Sequence, residues 1–124
     1  MDSNEINSIE NELGIELPKY YLELLFNYPS RLLGEGIHAS EVELLNSPNN
    51  IIDLNKLVRE SNGIDIDASH FLIGESGCGD YYFIDLDENE SSVYFWNHAI
   101  RNFDEDEKSD SLLEHAGKLV EIYA

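Results

Sequence analysis

The chain has 124 residues, of which 26 are Asp or Glu and 7 are Lys or Arg, so its formal net charge is −19. Proteins that hold phosphate backbones use clustered Lys and Arg, and no such cluster occurs here. The sequence therefore predicts no nucleic-acid partner and no binding to anionic membranes. Self-repulsion at this charge costs folding free energy, which favours attraction to a cationic partner as its use, although solubility alone also rewards Asp and Glu.

Length and composition predict one domain spanning 1–124, because a chain of this size falls within the usual range of roughly 100 to 200 residues per domain. Apolar residues make up 42% of the chain and include 7 Tyr, 5 Phe and 1 Trp, enough for a core. The single cysteine, Cys78, excludes an internal disulfide and fits a reducing compartment. The first residues lack the features of a secretory signal, so we expect a cytoplasmic protein. We also expect the free protein to be a monomer.

Apolar spacing predicts two helices near the N-terminus. The first begins with a capping box of Asp2 and Glu5 and ends at Gly14, which supplies a left-handed residue. The second begins at Leu17-Pro18 and ends at Pro29. The residues expected to face the core recur at helical spacing and are Ile6, Ile9 and Leu13 in the first helix and Tyr21, Leu22, Leu25 and Phe26 in the second.

The middle of the chain gives weaker signals and then a third helix. One or two short strands are predicted between His38 and Leu45, and Ser47 to Asn50 reads as a turn that caps the next helix. That helix is predicted from about Ile51 to Ser61. Its inward residues are expected to be Leu54, Leu57 and Val58.

After the third helix the apolar period changes from 3.6 to 2, which is typical of strands. Three aromatic and β-branched runs, at 71–73, 81–86 and 93–96, predict an antiparallel meander. A last helix is predicted to begin near Ser109 or Asp110, and Gly117 could interrupt it. Its core-facing residues are expected to be Leu112, Leu113, Ala116, Leu119 and Val120.

Two stretches of the sequence resemble the signatures of a known superfamily. Residues 9–21 read IENELGIELPKYY, and residues 73–86, followed by 93–98, read IGESGCGDYYFIDL and VYFWNH. In this order they resemble the SUKH superfamily, which includes yeast cell-wall synthesis regulators and many bacterial immunity proteins. The resemblance implies an α+β fold, with N-terminal helices packed on an antiparallel β-sheet and a C-terminal helix.

Motifs for cofactors and metals are incomplete in this chain. The loop from Gly74 to Gly79 lacks the Lys and Ser/Thr of a phosphate-binding loop, and a tight strand connection with positive φ is the better interpretation. The acidic stretch after Asp85 starts like a calcium loop, but Glu90 stands where glycine is needed and Trp96 where the bidentate Glu is needed. We therefore expect no cofactor and no metal ion, and interpret this stretch as an acidic hairpin turn.

Catalytic motifs are also missing, so we expect no enzyme. Acidic neighbours disfavour a reactive thiolate at Cys78, and no histidines pair at metal-ligand spacing. Loops around the predicted sheet instead hold many acids, interleaved with aromatic residues of the kind that dominate protein interfaces. The candidate partner-binding residues are Asp80, Tyr82, Asp85, Asp87, Glu88, Glu90, Trp96, Asp104, Glu105, Asp106 and Glu107.

The resemblance and the charge together predict an immunity protein. An acidic domain could bind and neutralise a bacterial toxin by occupying its basic substrate-binding surface, and the expected toxin is a nuclease. The nuclease target rests on the charge alone. The alternative is a regulatory protein-interaction module of the same fold, which would organise other proteins without antagonising a toxin.

Overall fold

Helices and an antiparallel meander follow one another along the chain. The structure, a computed structural model, describes residues 1–28, 44–60, 66–75, 79–88, 91–104 and 108–123. The elements in these ranges are α1 (Ser3–Leu13), α2 (Lys19–Phe26), α3 (Pro48–Glu60), β1 (His70–Glu75), β2 (Tyr81–Asp85), β3 (Tyr94–Asn97), β4 (Asn102–Phe103) and α4 (Leu112–Tyr123). The predicted α+β class, with N-terminal helices, an antiparallel sheet and a C-terminal helix, is confirmed.

The start and end of α1 follow the predicted local chemistry. The Glu5 backbone N–H donates to the Asp2 carboxylate at 2.9 Å, and the Asp2 N–H donates to the Glu5 carboxylate at 3.1 Å. Gly14 ends the helix with φ 64°, the left-handed conformation that glycine adopts without a steric cost. The Glu10 carboxylate then accepts the Leu17 N–H at 2.8 Å, which fixes the path of the chain into α2.

The four strands lie in the order β1-β2-β3-β4, and every neighbouring pair is antiparallel. On one face of the sheet, α2 and α4 provide the cover, since Tyr21 packs edge-on to Phe71 at 5.5 Å and His115 stacks on Tyr82 at 4.6 Å between ring centroids. The opposite face carries rings that contact one another and are buried or half-buried: His70, Tyr81, Phe83, Tyr94, Trp96 and Phe103.

A buried amide closes the free edge of β1. Asn55 lies on α3 and is fully buried, and its side-chain oxygen accepts the Leu72 N–H at 2.8 Å while its amide donates to the Leu72 carbonyl at 2.9 Å. The same amide donates to the Ile51 carbonyl at 2.8 Å within the helix. One residue further along the edge, the Leu45 N–H donates to the Ile73 carbonyl at 2.8 Å. Two neighbouring residues of this edge strand therefore have backbone partners outside the sheet.

The helices differ from the prediction in which residues face inward. The prediction for Leu57 was wrong, because α3 turns Ile51, Asn55 and Val58 to the core and leaves Leu57 56% exposed. Phe26 in α2 is 50% exposed, because Leu24 takes the inward position.

The remaining elements differ in smaller ways. Leu113 in α4 is 80% exposed, whereas Leu112 beside it is buried, and Gly117 does not interrupt the helix. β4 was not predicted. The following predictions lie outside the described residues: the end of α2 at Pro29, most of the short strands after His38, and the end of the third helix at Ser61. The side chain of Val120 is also outside them.

Replacing Asn55 by Ala should strongly destabilise the protein. The substitution leaves the N–H and C=O of Leu72 buried without partners, which costs about 2 to 6 kcal/mol at the usual 1 to 3 kcal/mol per group. Asn50→Ala in the same helix is the matched control, because Asn50 is exposed, and its effect should stay within about 0.5 kcal/mol. Urea unfolding measures the free energy of unfolding of both variants. A decrease of less than about 1 kcal/mol for Asn55→Ala would contradict this role of Asn55.

Two glycine-to-alanine substitutions should have opposite effects on stability. A Cβ at either Gly14 or Gly117 would meet no atom within 4 Å, so space does not distinguish the two sites. Gly117→Ala lies inside α4 and should stabilise by about 0.5 to 1 kcal/mol. Gly14→Ala should destabilise by about 1 to 2 kcal/mol, because its φ of 64° is unfavourable for a residue with a Cβ. Thermal unfolding of both variants tests these expectations, and stability changes of the same sign in the two variants would contradict them.

Candidate partner-binding surface

Carboxylates concentrate where β2 ends and turns toward β3. The Asp85 carboxylate accepts the Asp87 N–H at 3.0 Å, and the Asp85 carbonyl accepts the Glu88 N–H at 3.2 Å, so the turn has local hydrogen bonds. The Glu88 carboxylate accepts the Tyr94 hydroxyl at 2.5 Å, which attaches the turn to β3. Asp87 is exposed to solvent. This confirms the predicted acidic turn in its described part.

The same turn is tied to the start of α4. Val93 and Ser109 exchange two backbone hydrogen bonds of 2.9 Å. The Ser92 hydroxyl donates to the Asp110 carbonyl at 3.4 Å, and the Leu112 N–H donates to the Ser91 hydroxyl at 3.3 Å. Asp110 is thereby placed beside the turn. We call the set of Asp85, Asp87, Glu88 and Asp110 the acidic corner.

An apolar groove lies between α2 and α4 and extends to Ser91, in the turn that bonds to the start of α4. Its volume is about 330 Å³. Most of its wall is apolar, and the only charged side chain in the lining, within the described part of the chain, is Glu23. Burial, followed by the negative charges of Glu88 and Asp85, raises the pKa of Tyr20 to about 12, so the corner's field extends to the groove wall. The lining residues are Tyr20, Glu23, Leu24, Asn27, Ser91, Leu112, Leu113 and Ala116.

The predicted residue Asp80 lies at the other end of β2. It lies five residue steps from Asp85 of the acidic corner, roughly 17 Å at the usual rise per residue. Its carboxylate accepts the His98 N–H at 2.8 Å and lies 2.5 Å from the ring Nδ1 of His98. Gly79, with φ 96°, lies under that ring, since a Cβ there would be 3.6 Å from it. This confirms the predicted positive φ at Gly79, and it gives the Gly-Asp and His parts of the second signature a structural role.

Other predicted residues are likewise occupied inside the fold. Asp104 accepts a 3.5 Å hydrogen bond from Asn97 near the Asp80 end of the sheet. Tyr82 is stacked between His115 and Phe95, on the face that α4 covers. Trp96 is only 4% exposed, so its side chain is packed within the fold. Four further candidates lie outside the described residues: Glu90, Glu105, Asp106 and Glu107.

Few of the carboxylates have a cationic partner. Lys56 pairs with Glu12 at 3.1 Å, and Lys118 pairs with Glu114 at 3.2 Å. Two other cations are used elsewhere, since Arg59 donates to backbone carbonyls and Lys108 lies 5.0 Å above the Tyr94 ring. Within the ranges that the structure describes, the acidic corner contains no ion pair, so no described cation neutralises its negative charge through an ion pair.

Two further findings concern chemistry and membranes. In the described residues, no three His, Cys, Asp or Glu side chains come close enough together to hold a metal ion. The helices of the same residues include none with both the length and the apolar character needed to cross a bilayer.

The fold and the site define an α+β protein in which helices cover an antiparallel meander and an acidic corner adjoins an apolar groove. Its sequence matches the family described as SMI1-KNR4 cell-wall (SUKH_6) over residues 3–114. The chain therefore belongs to this family of the SUKH superfamily, which confirms the resemblance. Comparison with curated proteins finds no match, and comparison with solved structures finds none either.

Sequence reasoning missed the groove and its residues. Tyr20, Leu24 and Leu113 come from distant parts of the chain, and only the packing of α2 beside α4 brings them together. The pair Leu112-Leu113 gave no such signal, because adjacent leucines can both face one core, as Leu24 and Leu25 do in α2.

Tyr21, a buried residue of α2, should make the protein less stable at alkaline pH. Burial, helped by Tyr28, raises the pKa of Tyr21 far above its ordinary value of 10.0, and the Tyr21 hydroxyl has no hydrogen-bond partner among the described residues. Above pH 10 the unfolded chain loses this proton while the folded protein keeps it. The free energy of unfolding should therefore fall by up to about 1.4 kcal/mol per pH unit from this group.

Tyr21→Phe tests this expectation. The variant should be as stable as the parent at pH 7, or more stable by up to about 1 kcal/mol, because it removes a buried hydroxyl without a partner. The difference in the free energy of unfolding between the variant and the parent should increase above pH 10. Urea unfolding from pH 7 to 11 measures the difference, and parallel pH profiles would contradict it.

Proposed function

We propose that this protein is an immunity protein that binds and neutralises a cognate bacterial toxin through its acidic corner. The observation that carries the proposal is the group of carboxylates at the end of β2 and the start of α4, which has no ion pair among the described residues. Membership of a superfamily that includes many immunity proteins supports the role. Binding, rather than catalysis, is the activity proposed.

The charge supports a toxin with a basic surface as the target. Toxin domains that cleave DNA or RNA need positive charge to hold their substrate, and an acidic protein both attracts and covers that charge. With a net charge of −19, long-range attraction accelerates encounter, while the corner provides a local site for contact. Neutralisation then follows from competition for the substrate-binding surface.

The role is tested with the toxin encoded next to this chain's gene. We expect a stable complex with that toxin, loss of its nuclease activity in the complex, and survival of cells that produce both proteins. If no neighbouring toxin binds and none is neutralised, the immunity role is wrong. Binding to a non-toxic protein without any protection would instead favour a regulatory interaction module.

Neutralising the corner should slow association with the toxin. Asp87→Asn combined with Glu88→Gln removes two charges, and the Gln retains an acceptor for the Tyr94 hydroxyl. We expect the association rate constant at low salt to fall by roughly threefold or more, and the difference to shrink as salt screens the charges. Stopped-flow kinetics over a range of salt concentrations measures it.

A matched control separates the corner from the total charge. Asp53→Asn combined with Glu60→Gln makes the same charge change at exposed positions of α3. This control should associate within about twofold of the parent, because local charge dominates steering at contact distances. Equal slowing in both double variants would show that total charge, rather than the acidic corner, controls association.

A further inference from the structure

We propose that the groove between α2 and α4 is the pocket in which the toxin anchors an apolar side chain flanked by Lys or Arg. The proposal rests on the proposed function and adds the site and chemistry of the contact that holds the complex together. The partner is thus a protein segment with one large apolar residue between basic neighbours.

The size and lining of the groove suit a side chain from another protein. Its volume of about 330 Å³ is at the lower end of the roughly 300 to 1,000 Å³ typical of ligand pockets. Leu24, Leu112 and Ala116 form a buried apolar floor, and Leu113 stands at the rim with 80% exposure. The apolar surface of such an exposed leucine is in contact with water, and a side chain docked in the groove would bury that surface.

The charges around the groove specify what flanks the apolar anchor. Glu23 lies in the wall, and no cationic side chain does so among the described residues. The field of Glu88 and Asp85 reaches Tyr20 on the same wall. An acidic or neutral segment would gain less there than a basic one, so charge complementarity selects a cationic partner.

The two aromatic residues among the predicted partner-binding residues pack within the fold. Trp96 is buried, and Tyr82 is stacked beneath α4. Interfaces usually derive much of their affinity from a few apolar anchors in desolvated pockets. In the described surface, the groove provides such a pocket directly beside the acidic corner.

Two groove variants and one matched control test the proposal in the full chain. Leu113→Ser removes the apolar rim, and Ala116→Leu fills the floor. Leu57→Ser is the control, since Leu57 is also an exposed leucine on a helix, at 56%. Thermal unfolding first establishes that each variant is folded.

With the neighbouring toxin, both groove variants should weaken binding roughly tenfold or more, through faster dissociation, while Leu57→Ser stays within about twofold. If the parent binds and both groove variants bind within twofold of it, the groove proposal is wrong and the proposed function stands. If the parent associates with itself and Leu113→Ser abolishes that association, a second copy occupies the groove and the proposal is also wrong.

A probe peptide tests binding in the groove independently of the toxin. The peptide Lys-Lys-Trp-Lys-Lys should shift the amide resonances of Leu24, Leu112 and Ala116 in the parent, and Lys-Lys-Gly-Lys-Lys should not. Filling the groove with Ala116→Leu should abolish the shifts. Should the parent bind no toxin, these shifts would still support the groove while the immunity role failed. Shifts elsewhere, or none, would overturn the groove proposal whatever the toxin result.

Discussion

The contact between Asn55 and the edge of β1 is the constraint on which the arrangement of layers depends. An edge strand presents N–H and C=O groups that must find partners when a helix buries them. Asn55 satisfies the N–H and the C=O of Leu72 with one side chain, as a neighbouring strand would. It thereby fixes both the height and the rotation of α3 against the sheet, because an amide with two matched hydrogen bonds has little freedom to slide.

Other contacts transmit this constraint. The Leu45 N–H bonds to Ile73, and the Tyr28 hydroxyl donates to the carbonyl of Leu44, so the chain after α2 is attached to the same edge. Lys56, next to Asn55 in sequence, pairs with Glu12 on α1. With β1 held in this way, the antiparallel pairing of β2 and β3 places the acidic turn at one end of the sheet, next to α4.

Asn55 also explains where prediction from sequence succeeded and where it failed. Periodicity identified the helices and the meander because most core residues are apolar and recur at the right spacing. For α3 it identified Val58 correctly and missed Asn55, because the central inward residue is polar and a pattern of apolar residues counts Asn55 as outward. Leu57 was then expected inside, although the helix turns it to solvent. The two-residue strand β4 is too short to give a periodic signal.

The candidate site was predictable in its charge and not in its geometry. The excess of carboxylates is a property of composition, but whether a given carboxylate is available depends on contacts across the fold. Asp80 illustrates this, because it belongs to the Gly-Asp part of the second signature and its carboxylate accepts a hydrogen bond from the His98 N–H. Asp87 lies in an ordinary turn and is exposed. The same holds for the aromatic residues of β2 and β3, because Trp96 is buried whereas Tyr81, opposite it in register, is half-buried.

An acidic surface and an apolar groove would contribute to recognition in different ways. Charge acts over about a Debye length, roughly 8 Å at physiological ionic strength, and it attracts any basic protein. It therefore accelerates encounter without distinguishing one basic toxin from another. A groove acts only at contact, and its shape accepts some side chains and rejects others. In this protein the two features adjoin, with the field of Glu88 reaching the Tyr20 wall. Under the proposed function, discrimination between toxins should consequently reside in α2 and α4, while the turn after β2 should set the association rate.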